Sequence, residues 1–249
     1  MPRTARIYIS LIVSSGAAVL LIAAGSWTSA SLSQFVMLLG FASVSSTLKI
    51  RIPGLESTMS PNFIFLLLSM LCCSFSEVAA IALVAALVQS LWAAKRPRLV
   101  QVAFSAAALV LSATVAYQSA HLLLGRSSSI SPLGFAILAG SLYLPLNTAL
   151  ISAVIGLVEG RPSFEVARIC YQCVFPYFMG GLLFAGMVSG AFSRSTVWQG
   201  AAVLFPVAVL GYLYFLRQTP TLTPAQSPSA HLPTQDKELV GAESRGRSR

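Results

Sequence analysis

Eight polar side chains set inside long apolar runs carry most of the chemical potential of this sequence: Asn62, Gln89, Gln118, His121, Tyr143, Asn147, Gln172 and Tyr177. An amide facing hydrocarbon leaves donors and acceptors unsatisfied, so these groups are expected to point into a helix bundle. Pro145 lies between Tyr143 and Asn147, and Pro176 lies between Gln172 and Tyr177. A proline inside a helix frees a carbonyl one turn earlier, which gives an inward amide something to bond. Two readings follow. The groups can glue helices to one another, or several can converge on a pocket for a small molecule. Asn147, Gln89 and Tyr177 form the preferred binding trio, with Tyr143 and Asn62 beside them.

Other chemistry is thinly represented. The four cysteines form two close pairs, Cys72–Cys73 and Cys170–Cys173. The second has C-x-x-C spacing, but no strand–helix redox context surrounds it and no partner pair completes a metal set. They read as small apolar packing groups. His121 is a lone histidine near a segment end, expected to be satisfied or water-exposed. Glu77 stands at a helix start, where a carboxylate suits the dipole, and Glu56, Glu159 and Glu165 belong to turns. A proton- or sodium-coupled transporter usually needs a mid-membrane carboxylate, so the pattern counts against one. The sequence also lacks a nucleophile–base arrangement, a Walker loop, a zinc signature and paired carboxylates. No enzyme activity, metal or cofactor is expected.

The elements that must position these groups follow from composition. Of 249 residues, 56% are hydrophobic and 9% charged, against roughly 25% charged in soluble domains. So few charges cannot cover a water-facing surface, and the expected surroundings are a lipid bilayer. The net charge of +9 could suggest nucleic acid, but the basic residues sit in short clusters between apolar runs, and phosphate binding needs a contiguous basic surface. A spanning helix takes about 20 apolar residues. Candidates lie at 7–25, 32–48, 62–75, 77–94, 99–124, 133–158, 168–190 and 198–216. The expected fold class is therefore all-α, a polytopic transmembrane bundle of about eight helices over 1–217. Ser74-Phe75-Ser76-Glu77 is an S-x-x-E capping pattern, so 62–94 reads as a tight helical hairpin, although the segment 62–75 is short for a span. The first segment is longer than a usual signal-peptide core and is expected to be retained. Residues 218–249, with Pro220, Pro224, Pro228 and Pro233 in a Ser/Thr/Gln-rich stretch, read as a disordered cytoplasmic tail.

Charge placement sets the expected orientation. With all eight segments spanning, Arg3, Arg6, Lys49, Arg51, Lys95, Arg96, Arg98, Arg161, Arg168 and Arg217 share one side, and Arg126 and Arg194 the other. The positive-inside rule then places both termini in the cytoplasm of an inner-membrane protein. Lys49, Arg51, Lys95, Arg96, Arg98, Arg161 and Arg168 are expected to anchor the inner turns at the headgroups. Ala108, Ser112, Ala116 and Ala120 form a small-residue stripe, and Gly186 and Gly190 a G-x-x-x-G. Both are expected to be intramolecular contact faces.

Three stretches carry a family resemblance. Leu48-Lys49-Ile50-Arg51-Ile52-Pro53-Gly54, followed by Thr58-Met59-Ser60 and Asn62-Phe63-Ile64-Phe65, is similar to an inner turn of bacterial MASE-type membrane-associated sensor domains. Leu146-Asn147-Thr148 resembles their asparagine-threonine helix. Glu159-Gly160-Arg161-Pro162, then Glu165-Val166, Arg168 and Phe175-Pro176-Tyr177-Phe178, resembles the entry to their penultimate helix. The similarity runs over most of 30–216. It implies a compact helical bundle, distantly like the substrate-binding components of vitamin transporters, that senses an unidentified signal. In that family the last helix leads into a GGDEF or HD-GYP output domain. Here Leu213-Tyr214-Phe215-Leu216-Arg217 leads into the proline-rich tail. Cyclic-dinucleotide chemistry is therefore not carried over, and signalling would pass through a separate cytoplasmic partner. The alternative is a solute-binding transport component docked on an energising partner.

Overall fold

A computed structural model describes residues 2–29, 31–48, 50–51, 58–59, 62–92, 98–124 and 132–192. They form α1 (Arg3–Gly25), α2 (Leu32–Thr47), β1 (Ile50–Arg51), β2 (Thr58–Met59), α3 (Phe63–Cys72), α4 (Phe75–Leu91), α5 (Leu99–Leu124), α6 (Pro132–Glu159) and α7 (Ser163–Phe192). The protein is thus essentially all-helical. Among the described residues the one addition is a minimal antiparallel pair in the α2–α3 connection, with Ile50 opposite Met59 and Arg51 opposite Thr58. The eighth expected segment, 198–216, and the tail 218–249 lie outside the described residues.

Among the described residues, three helices, α1, α5 and most of α6, are long and apolar enough to cross a membrane. At 1.5 Å per residue, α3 with its ten residues is about 15 Å long, half of a hydrocarbon core of about 30 Å. The described helix in the segment 62–75 is therefore shorter than a full span, a point the sequence leaves open. The hairpin itself holds: Ser74 caps α4 in a capping box with Glu77. The outer surface is apolar, with Ile7, Leu11, Leu21, Ile22, Leu99 and Leu122 all more than half exposed. A water-facing surface would not tolerate so many exposed aliphatic groups, whereas lipid does.

The short hairpin is the centre of the core. Leu66, Leu67 and Met70 of α3 and Val78, Ile81 and Ala82 of α4 are buried with Val110, Ala113 and Ala116 of α5 and Phe178 of α7. Alanine on the facing surfaces of α4 and α5 lets two backbones approach closely, the main route to helix association in lipid. The stripe Ala108, Ser112, Ala116 and Ala120 is buried along its whole length, as expected. The surroundings of Gly186 and Gly190 lie outside the described residues. Closer approaches occur elsewhere. A Cβ on Gly16 would lie 2.6 Å from the Ala107 Cβ, and one on Gly140 would lie 2.9 Å from the Phe178 ring. At the α6–α7 turn, Gly160 has φ 69°, the left-handed conformation that glycine adopts without a Cβ penalty.

Side-chain contacts fix which ends lie together. Tyr8 near the start of α1 packs on Phe104 near the start of α5, with ring centroids 6.2 Å apart. Its hydroxyl donates to the Leu150 carbonyl in the second half of α6 at 3.2 Å. Arg3, Arg6, Arg98, Arg161 and Arg168 therefore collect at one end of the bundle. At the other end, the α1–α2 connection meets the α3–α4 turn, where Ser74 Oγ donates to the Thr28 carbonyl at 2.5 Å and Ser76 Oγ to the Ser26 carbonyl at 3.1 Å.

Candidate functional site

Two of the singled-out amides meet inside the bundle. Asn62 immediately precedes α3, and its carbonyl accepts from the Phe65 and Leu66 N–H groups, both at 3.1 Å, to start that helix. Its side-chain Nδ2 donates to Ser46 Oγ of α2 at 3.2 Å and to Gln89 Oε1 of α4 at 3.4 Å. Ser46 in turn donates to the Ala42 carbonyl at 2.7 Å. Asn62 is 4% exposed and Ser46 fully buried. One amide thus ties three helices together where water cannot compete. The gluing reading holds for this pair. Asn62→Ala removes both bridges and is expected to cost about 1–3 kcal/mol, the range for a buried polar contact broken on one side. Thermal unfolding of the variant in lipid nanodiscs checks this, and an unchanged melting temperature would refute the bridge.

The remaining candidates lie on α6 and α7. Tyr143 is buried and Asn147 half-buried, and both share with Gly140 the side of α6 that meets α7. Gly140 abuts Phe178 and Leu182. Phe178 also stacks on Phe63, the first residue of α3, with centroids 5.1 Å apart and planes at 27°. Gly181, one turn further on, leaves room for Phe63 and Ile64. Phe178 therefore joins the buried start of α3 to the face of α6 that carries Tyr143 and Asn147. The Asn147 amide makes no hydrogen bond to any described residue, which separates it from Asn62. Tyr177 lies next to Phe178 on α7, and its side chain is outside the described residues. The trio is thus divided: Gln89 joins Asn62, Asn147 stands on α6, and Tyr177 is placed only by its helix.

Two expected inward groups turn outward. Gln118 and Gln172 are exposed. Gln118 lies six residues from the end of α5. Gln172 lies in the first third of a 30-residue helix about 45 Å long, well beyond the hydrocarbon thickness of about 30 Å. Both sites can reach headgroups or water, so the inward argument loses its force there. His121 is exposed and held between the Tyr117 and Phe135 rings, at 4.2 and 4.8 Å between centroids. Of the expected basic anchors, Arg98 and Arg168 are exposed, and Arg161 pairs with Glu165 at 3.1 Å and Glu159 at 3.9 Å. Lys49, Lys95, Arg96 and the Arg51 side chain lie outside the described residues.

Sequence reasoning does not single out Ser46, although the Ser45-Ser46-Thr47 run at the end of an apolar segment is a signal of a polar helix end. It misses Ser29 as well, whose hydroxyl donates to Glu77 Oε1 at 2.5 Å across 48 residues of chain. Chemically, the interior presents neutral amides, hydroxyls and a phenol beside a paired phenylalanine stack. Such a lining can orient a neutral polar or aromatic molecule through donors, acceptors and ring faces. Among the described residues no three His, Cys, Asp or Glu side chains gather as a metal site. No known protein family, curated protein or solved structure matches the chain.

Proposed function

We propose that this chain is a multi-pass protein of a bacterial inner membrane, an eight-helix bundle whose interior binds a small, neutral, polar molecule and reports it to a separate cytoplasmic partner. The single observation that carries the reading is the Asn147 amide. It lies half-buried on the side of α6 that faces Phe178 and has no hydrogen-bond partner among the described residues. A polar group kept in an apolar bundle without an internal partner is better explained by an external one than by packing. The half-length α3, starting at buried Asn62, supports it: interrupted helices in membranes occur where backbone is buried in protein or lines a site. The resemblance of Leu146-Asn147-Thr148 and of the Asn62 region to MASE-type sensor domains points the same way. The role is binding rather than catalysis. The positive-inside rule places the arginine-rich end in the cytoplasm.

A second reading has one observation in its favour. Interrupted helices near a bundle centre also mark solute sites of transporters, so α3 fits a vitamin-type solute-binding component docked on an energising partner. ATP-dependent uptake into vesicles holding the chain and its neighbours would select transport over sensing.

Asn147→Leu tests the shared core of both readings. Because the amide bonds nothing described, its loss is expected to change stability by no more than about 0.5 kcal/mol. Small molecules extracted from purified wild-type protein and identified by mass spectrometry should be depleted from the variant. Identical extracts, or a variant as destabilised as Asn62→Ala, would remove Asn147 from any binding role.

A further inference from the structure

The first turns of α7 carry a stripe that the bundle does not use. Phe164, Arg168, Tyr171 and Phe175 follow one another at spacings of four, three and four residues, which places them on one face of a helix. Their exposure agrees: Phe164 is 82%, Tyr171 41% and Phe175 38% exposed, and Arg168 is exposed as well. The Tyr171 and Phe175 rings stack with centroids 5.2 Å apart and planes at 28°, as a shared face requires. The side of α7 that meets α6 is a different one. There Val166 and Cys170 pack on Ile155, and Ser163 lies against Gly156. Among the described residues Arg168 forms no ion pair, and neighbouring Glu165 is already held by Arg161.

Most of this stripe stands beyond the hydrocarbon. With its 30 residues, α7 is about 45 Å long, about 15 Å more than the hydrocarbon thickness. Glu159, Arg161, Glu165 and Arg168 gather at its start, so the surplus lies at that end. The level where Tyr8 joins Phe104 and Leu150 gives the same result. From there α5 reaches back five residues to Leu99, whereas α6 runs on nine to Glu159, so the α6–α7 turn projects about 6 Å further. An anchor in the membrane interface sets Trp and Tyr at one depth. Here three rings are spread along about 16 Å of helix, and the outermost is a phenylalanine beyond the arginine. Exposed rings at heptad-like spacing around a cation without a described anion match a helix of complementary pattern and opposite charge. We infer that the Phe164–Phe175 face of α7 docks an amphipathic helix of a separate cytoplasmic protein, with a carboxylate of that helix on Arg168 and its apolar residues on Phe164, Tyr171 and Phe175. A second copy of this chain fits worse, since a two-fold axis along the membrane normal would set Arg168 against Arg168. The inference rests on the reading that the chain reports to a separate partner, not on what binds at Asn147.

The test places the photoreactive amino acid benzoylphenylalanine at Phe164 or Tyr171 of the full chain in its native cells, with Leu21 and Leu122 as exposed lipid-facing controls. Positions 164 and 171 should crosslink one and the same protein, and the controls should not. That protein is identified by mass spectrometry and purified, and its affinity for the full chain is measured in phosphatidylcholine nanodiscs. Arg168→Glu should weaken binding at least about tenfold, and changing the facing carboxylate of the partner to lysine should restore it. Phe164→Ala should weaken binding by a similar factor. Both side chains are exposed, so both variants should melt with wild type; a lower melting temperature would make the stripe part of the fold and overturn the proposal. It is also overturned if positions 164 and 171 crosslink only lipid, a second copy or residues 198–216 of the same chain, if they crosslink nothing, or if the captured protein binds Arg168→Glu as tightly as wild type. The ligand extracts of Asn147→Leu are a separate readout, so failure here removes the docking face and leaves that binding result standing.

Discussion

Glu77→Ala is expected to lower the melting temperature of the protein by about 6–12 °C, corresponding to about 3 kcal/mol in a chain of this size. Glu77 is 1% exposed. One carboxylate oxygen accepts the Ser74 N–H at 2.8 Å and the other the Ser29 hydroxyl at 2.5 Å. The Glu77 N–H completes the capping box on Ser74 Oγ at 3.4 Å. Truncation leaves the half-buried Ser74 N–H without its acceptor and frees the exposed Ser29 hydroxyl, together worth about 1–3 kcal/mol. It also removes the negative charge that the first turn of α4 favours, worth up to about 1 kcal/mol. The effect spreads because Ser74 and Ser76 hold the α1–α2 connection through Thr28 and Ser26. Loss of the cap therefore loosens α1 and α2 as well as α4. Glu77→Gln retains one good acceptor and should lie between wild type and alanine. Differential scanning fluorimetry in nanodiscs reads all three. An alanine variant that melts with wild type would show that the network contributes nothing.

Gly16→Leu should be at least as disruptive, at about 3 kcal/mol or more, because it meets backbone rather than a movable side chain. A Cβ at Gly16 would be 2.6 Å from the Ala107 Cβ and 2.8 Å from its Cα. Even Gly16→Ala forces α1 and α5 apart, and overpacking of this kind costs about 1–3 kcal/mol. The larger leucine is expected to detach α1 from the seam, also undoing the contact of Tyr8 with Phe104 and Leu150. Ala107→Gly should partly rescue Gly16→Ala by removing the nearer obstacle, a coupling that a double-mutant cycle measures. Gly40→Ala is the control, since nothing lies within 4 Å of its added Cβ. If Gly16→Leu melts with wild type, α1 does not pack on α5 as described.

Several elements are legible in the amino-acid order itself. The expected 99–124 coincides with α5, and 133–158 differs from α6 by one residue at each end. The S-x-x-E pattern locates the break between α3 and α4, and the small-residue stripe marks a buried face. These signals are local. Apolar length, a cap and four-residue spacing each act within a few turns. The singled-out polar groups fare unevenly for a related reason. Hydropathy says that an amide in an apolar run wants a partner, but not whether the residue lies deep enough for the want to matter. Gln118 and Gln172 lie where water or headgroups can serve, and only the observed helix lengths reveal it.

The amino-acid order alone determined that this chain is helical and apolar, where most helices run and which end collects arginine. Hydrocarbon penalises every unsatisfied backbone group, so a long apolar run has little choice but to close its own hydrogen bonds. Tertiary structure decided everything that depends on how those helices are rotated and paired. It brought Asn62 to Ser46 and Gln89, left Asn147 without a described partner, set Ser29 on Glu77 and pressed Gly16 onto Ala107. When nearly every face of a helix is apolar, periodicity no longer says which face is inside. Steric fit among small residues and a few polar contacts choose it, and those contacts join residues far apart in the chain.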